Sequence, residues 1–221
     1  MNVLLDLDGT LTDPREGITR CIRHALTVLD RPVPPVSELL TWIGPPLHDS
    51  FRDLFDGDDA LARRAVGHYR ERFAGTGLYE NAVYPGIERA LDRLVGRGSR
   101  LVLATAKPEV YALRIVAHFG LDSRLQGVFG SRLDGGLTDK AELIAHILNR
   151  TGADAAETVM VGDRRHDMVG ARANDVRPIG VGWGYGTHRE LREAGAGSIL
   201  DAPSELATLS TSALVQGVSR Q

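Results

Sequence analysis

The sequence predicts an α/β protein: a doubly wound parallel sheet with helices on both faces, and a helical domain inserted after the first strand. Three observations predict it. Short apolar runs such as Val3-Leu4-Leu5, Leu101-Val102-Leu103-Ala104 and Val159-Met160-Val161 alternate with stretches of helical periodicity. Within those runs polar and apolar residues do not alternate, as expected of strands buried on both faces. Between about Arg15 and Asn81, by contrast, every periodic stretch is helical and no strand intervenes. The expected division is a core formed by residues 1–14 and 82–221, with the helical domain over 15–81.

Each element has a local reason. Val3 to Leu5 is a short apolar run bounded by polar residues and a glycine, hence a buried strand. Leu11-Thr12-Asp13-Pro14 is rich in breakers and reads as a turn. Ile18, Ile22, Ala25, Leu26 and Leu29 recur at helical spacing, predicting a helix over 16–29 that Arg31-Pro32-Val33-Pro34-Pro35 stops. Ser37 is placed to cap a short helix through Leu40, and Thr41-Trp42-Ile43-Gly44-Pro45-Pro46 is a turn with an aromatic anchor. Helices over 47–55 and 60–73 complete the inserted segment. After the turn Tyr84-Pro85-Gly86, helices are expected over 87–95, 109–119, 140–148, 167–173, 187–194 and 204–209. In the 109–119 helix, Leu113, Val116 and Ala117 form the apolar side. The strands between them are 101–104, 127–130, 158–161, 178–181 and 198–200, and 182–186 is a glycine-rich loop.

Composition narrows the function. With 221 residues, 43% hydrophobic and 25% charged, the chain can bury a good-sized core. A net charge of -3 leaves no electrostatic footprint for nucleic acid. The lone Cys21 has no partner for an internal disulfide and sits in register with a helix's apolar face, which points to a reducing compartment. Neither a signal-peptide pattern nor an apolar run near 18 residues is present, so a cytoplasmic protein that does not span a membrane is expected. The seven histidines are scattered without zinc-site spacing. Monomer and homodimer stay equally open.

In open α/β sheets, ligands bind outside the carboxyl ends of the strands. The sequence places Asp6 and Asp8 there, then Thr105 and Lys107, then Asp163, with Asp167 one helical turn later and Lys140 opening the preceding helix. Residues i and i+2 of an extended chain point to one side, so Asp6 and Asp8 share a side, and Gly9 permits a sharp exit. Alone, these residues also fit an acidic turn; a calcium loop is weaker, because Gly17 holds the position where its closing Glu belongs. Carboxylates about 4 Å apart repel by roughly 4 kcal/mol at an effective dielectric near 20. Several such pairs call for a cation, and an oxygen-only donor set favours a hard ion such as Mg2+. With a lysine and a hydroxyl beside it, such a site suits a phosphate group.

Taken in order, Asp6-Leu7-Asp8-Gly9-Thr10, Thr105, Lys140 and Gly162-Asp163-Arg164-Arg165-His166-Asp167 resemble the motif set of the haloacid dehalogenase superfamily over nearly the whole chain. The inserted segment resembles that family's α-helical cap. Ala104-Thr105-Ala106-Lys107-Pro108 and Tyr84-Pro85-Gly86 resemble its phosphoglycolate phosphatase branch, which also includes enzymes acting on 5'-nucleotides. The resemblance implies a Rossmann-like core, a small-molecule phosphomonoester substrate, Mg2+ and an aspartyl-phosphate intermediate. It implies that Asp6 is the nucleophile, Asp8 the acid and base, Thr105 a phosphoryl ligand and Lys140 the partner of both Asp6 and the phosphate. Asp6, Asp8 (through its carbonyl), Asp163 and Asp167 would hold the metal, Asp167 directly or through water. Gly9, Thr10, Ala106 and Lys107 are expected on the substrate, as are Trp42, Gly44 and Pro45 of the cap, with Trp42 equally suited to the cap's interior.

Two departures stand out. Ala106 occupies a position where many relatives carry Asn, leaving its backbone N–H for the phosphate. Arg164-Arg165-His166 is unusually basic and is expected on the solvent side of its loop. Lys107 rivals Lys140 for the same role, but the resemblance and the spacing before Gly162-Asp163 favour Lys140; Trp183 and Tyr185 read as structural. The expected function is a phosphatase acting on phosphoglycolate first and a nucleoside 5'-monophosphate second. A phosphosugar mutase and an inactive phosphate-ester-binding protein are the alternatives. Dehalogenation fits less well, because Asp8 supplies an acid it does not need, and no lysine lies within 15–81 to serve phosphonate cleavage.

Overall fold

Val3, Leu4 and Leu5 have almost no exposed surface, so the strand that holds them, β1 (Asn2–Leu5), must lie inside a sheet. In the computed structural model, which describes residues 1–210, β1 pairs in parallel with β4 (Arg100–Pro108) and with β6 (Thr158–Gly162). The chain forms two compact units: Met1–Thr12 with the chain from Val83 onward, and Asp13–Ala82.

The first unit carries a six-stranded parallel sheet in the order β5-β4-β1-β6-β7-β8, where β5 is Gly127–Ser131, β7 is Arg177–Val181 and β8 is Ser198–Leu200. From β1 the chain builds outward through β4 and β5, then returns to β1's other side for β6, β7 and β8. The direction of winding reverses at β1, and a crevice opens at the carboxyl ends of β4, β1 and β6. Register aligns those ends, since Leu5 lies opposite Leu103 and Val161. On one face Leu4, Val102, Ala104 and Met160 pack against Leu143, Ile144 and Ile147 of α7 (Lys140–Thr151) and Ala171 of α8 (Arg165–Arg172). The α7 residues recur at i, i+1 and i+4, a stripe facing the sheet. Gly152, at φ +65°, ends the helix in a left-handed cap.

The structure corrects several local expectations. In α6 (Glu109–His118) the buried face is Ala112, Ile115 and Val116, while Leu113 is 46% exposed and Ala117 points outward. Both sets have the same i, i+3, i+4 spacing, so periodicity cannot choose between them; packing against β4 and β5 does. Thr12–Asp13, expected in a turn, is a strand, β2, and pairs with β3 (Ala82–Val83). Ser37 caps nothing: α2 (Val36–Leu39) starts one residue earlier, with Pro35 at the cap position. The 167–173 helix begins at Arg165, which moves Asp167 to its third position. The 204–209 segment is a 3-10 helix, Pro203–Thr208.

The second unit is helical: α1 (Arg15–Val28), α2, α3 (Leu47–Leu54) and α4 (Asp59–Arg72), followed by a π-helical turn, Phe73–Gly77. The inward stripe of α1 is the expected one, and Cys21 is fully buried in it. Gly17 is needed there because a side chain would strike the backbone of Gly77 and Glu80; its N–H donates to the Glu80 carbonyl at 2.8 Å. Arg72 donates to both Glu80 oxygens (2.7 and 3.0 Å), holding that carboxyl below its ordinary range. Among the described residues no helix is long and apolar enough to cross a membrane.

Candidate active site

Where β1 ends, the chain must turn without a side chain in the way. Gly9 does this at φ +81°, and a Cβ there would overlap the Asp163 carboxyl. The turn is tight: the Leu7 carbonyl accepts from Leu11 (2.9 Å) and Thr12 (3.0 Å), and Gly9 N–H donates to the Thr12 carbonyl (2.8 Å). Asp6 is thereby held at the strand end, its own N–H donating to Val161 at 2.9 Å.

Lys140 opens α7 because Asp139 caps that helix, accepting from Ala141 (2.8 Å) and Glu142 (3.0 Å). Its ammonium lies 3.0 Å from Asp6 Oδ1 and 2.7 Å from Asp167 Oδ1, and donates to the Ala104 carbonyl at 2.9 Å. Gly170 brings α8 close enough, since a Cβ would strike the Lys140 backbone. Asp167 Oδ2 accepts from Arg164 N–H at 3.1 Å across the first turn of α8. Lys107 takes a different partner, Asp8 Oδ2 at 2.7 Å, and its N–H donates to Thr105 Oγ1 at 3.3 Å. The two lysines left as rivals by the sequence therefore have separate positions.

Asp6, Asp163 and Asp167 each present an oxygen within 4.8 Å of the others, all buried. With Asp8 nearby, four carboxylates face two ammonium groups. Asp8 Oδ1, Asp163 Oδ1 and Thr10 Oγ1 are buried and have no hydrogen-bond partner among the described residues. Such atoms are costly unless something else engages them. Burial, then the Asp6 and Asp167 charges, drive the Asp163 carboxyl well above its usual range. Burial raises Asp167 to about 6, against the pull of Lys140. Burial also raises Asp8, outweighing Lys107. Burial works to lower Lys140, but the charges of Asp167 and Asp6 prevail and raise it. An all-oxygen donor set with surplus negative charge and orphaned oxygens fits a hard divalent cation.

A pH-dependent stabilisation follows. Without a cation, a carboxyl raised to about 6 binds protons in the folded state that the unfolded chain has released, so stability falls as pH climbs from about 4 to 6. A divalent ion opposes that loss. Such an ion at a hundredfold excess over its Kd should add about 2.7 kcal/mol. The gain in melting temperature should be larger near about pH 7.5 than near about pH 5, where protons compete. Equal shifts at both pH values would contradict a carboxylate site.

The glycine-rich loop 182–186 packs against this site, a proximity the sequence reading did not foresee, and its hydrogen bonds agree with a structural role for Trp183 and Tyr185. Trp183 Nε1–H donates to the Thr10 carbonyl at 3.0 Å, and Tyr185 N–H to Asp163 Oδ2 at 2.8 Å. The signal was glycine at every second residue, a pattern that lets other backbone approach closely. Arg164 also departs from expectation: its side chain is only 15% exposed and its Nε donates to Glu190 at 3.0 Å, while Arg165 and His166 are exposed. The Ala106 carbonyl accepts from Ser131 Oγ at 2.7 Å. Trp42, Gly44 and Pro45 lie in the second unit, where Trp42 packs edge-on against Phe51 at 5.2 Å.

Comparisons with known proteins converge. The family model of haloacid dehalogenase-like hydrolases matches residues 3–181. A protein of Pseudomonas aeruginosa named 5'-nucleotidase is 51% identical over 191 residues, 86% of each chain. A tyrosine-protein kinase of Mycobacterium tuberculosis, PtkA, is 39% identical over 184 residues, 83% of this chain but 62% of that one. A crystal structure from Clostridium acetobutylicum, described as a predicted phosphatase, superposes with a TM-score of 0.90 at 40% identity, over 94% of this chain and 96% of that one.

Proposed function

The chain belongs to the haloacid dehalogenase-like hydrolase family, and we propose that it is a Mg2+-dependent phosphatase of small phosphomonoesters that works through an aspartyl-phosphate on Asp6. The observation that carries this is the buried ion pairing of Lys140 with both Asp6 (3.0 Å) and Asp167 (2.7 Å), beside Asp163. Lys140 holds Asp6 Oδ1, which leaves Oδ2 to attack phosphorus. The bond from phosphorus to the leaving oxygen breaks, and Asp8 gives that oxygen a proton. Water then attacks phosphorus, Asp8 takes a proton from that water, the bond from phosphorus to the Asp6 oxygen breaks, and inorganic phosphate leaves with Asp6 restored as a carboxylate. The raised Asp8 carboxyl suits this double duty, since an acid held above the ordinary carboxylate range keeps a proton to give and can take one up again. In this reading Thr105, whose Oγ1 accepts from the Lys107 N–H within β4, hydrogen-bonds a phosphoryl oxygen. Asp6, Asp163, Asp167 and the Asp8 carbonyl would hold Mg2+, which supplies charge neutralisation for the transferring group. In this reading the Asp13–Ala82 unit acts as the cap domain.

Among substrates, the 51% identity to a protein named 5'-nucleotidase moves nucleoside 5'-monophosphates ahead of phosphoglycolate. The test is phosphate release across nucleotides, phosphoglycolate and sugar phosphates, with Mg2+ and with EDTA. Mg2+-dependent release, fastest from a nucleotide, is expected. No release from any ester would overturn the assignment. A requirement for a sugar bisphosphate, with isomerised product and little free phosphate, would replace it with a mutase.

A further inference from the structure

Asp163 is enclosed on several sides by backbone. A Cβ at Gly9 or Gly184 would collide with its side chain, and one at Gly186 with its main-chain oxygen. Its two oxygens differ: Oδ2 accepts from Tyr185 N–H at 2.8 Å, whereas Oδ1 is buried with no hydrogen-bond partner among the described residues. The segment that supplies Tyr185 is tied twice at its start. Gly182 N–H donates to the Leu200 carbonyl at 2.8 Å, anchoring it to β8, and the Trp183 indole donates to the Thr10 carbonyl at 3.0 Å, anchoring it to the turn after β1. The Thr10 and Trp183 partners are 173 positions apart in sequence.

We propose that loop 182–186 is a clasp that sets the cation affinity of the site, with Trp183 as its positioning residue. The Trp183 indole N–H locks the loop against the Gly9–Thr10 turn. That lock keeps Tyr185 N–H on Asp163 Oδ2, which leaves Oδ1 as the oxygen offered to a metal. A carboxylate fixed in this way loses little freedom on coordination, so affinity rests on the second layer of hydrogen bonds as well as on the ligands. The inference rests on the Mg2+ site of the proposed function and concerns its affinity rather than the reaction.

The test is Mg2+ binding by titration calorimetry on the full chain, comparing wild type with Trp183→Phe, which keeps the ring and removes the N–H. The Kd for Mg2+ should rise about 10-fold or more, as loss of an outer hydrogen-bond partner typically costs. The kcat lost by Trp183→Phe should return when Mg2+ is raised, with KM for the ester unchanged and a melting temperature in EDTA close to that of wild type, which separates weakened binding from unfolding. Unaltered Mg2+ affinity in Trp183→Phe, with wild type binding normally, overturns the clasp alone. Absence of Mg2+ binding in wild type overturns the metal site and the clasp together. If Trp183→Phe does not fold, Trp42→Phe leaves Trp183 as the sole tryptophan, since the chain has 2. A saturable change in its emission on adding Mg2+ is expected, and none would overturn the proposal.

Discussion

Asp6→Asn abolishes turnover: phosphate release falls by about 10^4-fold or more, the scale seen when a nucleophile is removed. The amide keeps the shape of the carboxylate and still accepts from Lys140, which lies 3.0 Å from Oδ1, so the local packing is retained. What disappears is the negative charge that makes the oxygen a nucleophile toward phosphorus. The melting temperature of the metal-free variant should match or exceed that of wild type, because the substitution removes one negative charge from a cluster that has too many. Activity lost while stability is kept separates a chemical role from a structural one. Turnover within tenfold of wild type would remove Asp6 as nucleophile.

Lys140→Met has the second large effect, and it strikes both activity and stability. The substitution preserves length and apolar bulk but leaves Asp6 and Asp167 facing each other with no ammonium between them. Removing one partner of a buried ion pair typically costs about 3–5 kcal/mol. Losing a preorganised donor at the transferring phosphoryl group costs about 10^2–10^3 in kcat. The stability loss depends on pH in a definite direction. Lys140 is among the influences lowering Asp167, which stands at about 6, so its removal raises that carboxyl further. Below the new value the carboxyl is protonated and neutral, and the cost fades. Between about pH 4 and that new value the unfolded chain has released the proton that the folded state retains, so stability drops as pH rises and stays low above it. Urea denaturation in EDTA should therefore show a wide gap between variant and wild type near about pH 7.5 and a narrow one near about pH 5. Coincident midpoints at both pH values would show that Lys140 carries no load at the site.

The charged residues of the site were legible because each stands at a strand end or a helix start. Asp6 follows an apolar run, Asp163 follows another, and Lys140 opens a periodic stretch behind Asp139. Periodicity marks those boundaries, and parallel topology then brings the strand ends to one edge. Lys140 was the lysine expected on Asp6, from the resemblance and its place ahead of Gly162-Asp163; the partner of Lys107 was not legible, because spacing says nothing of direction. Folding sends Lys140 to Asp6 and Asp167 and Lys107 to Asp8. The face of α6 was misread for a related reason: two apolar stripes of equal spacing overlap on one helix, and the neighbouring strands select between them.

The linear order of residues was enough to specify a parallel sheet, a helical insertion and a rim crowded with carboxylates, since these follow from local periodicity and the placement of polar residues after apolar runs. Which oxygen pairs with which ammonium, and which backbone N–H holds Asp163, emerged once distant segments had packed. The clasp shows why. Trp183 and Thr10 lie far apart along the chain, and a hydrogen bond between them exists because β1, β6, β7 and β8 lie in one sheet with parallel register. Hydrogen bonds act over about 3 Å, so their partners are chosen by the fold and not by neighbours in the chain.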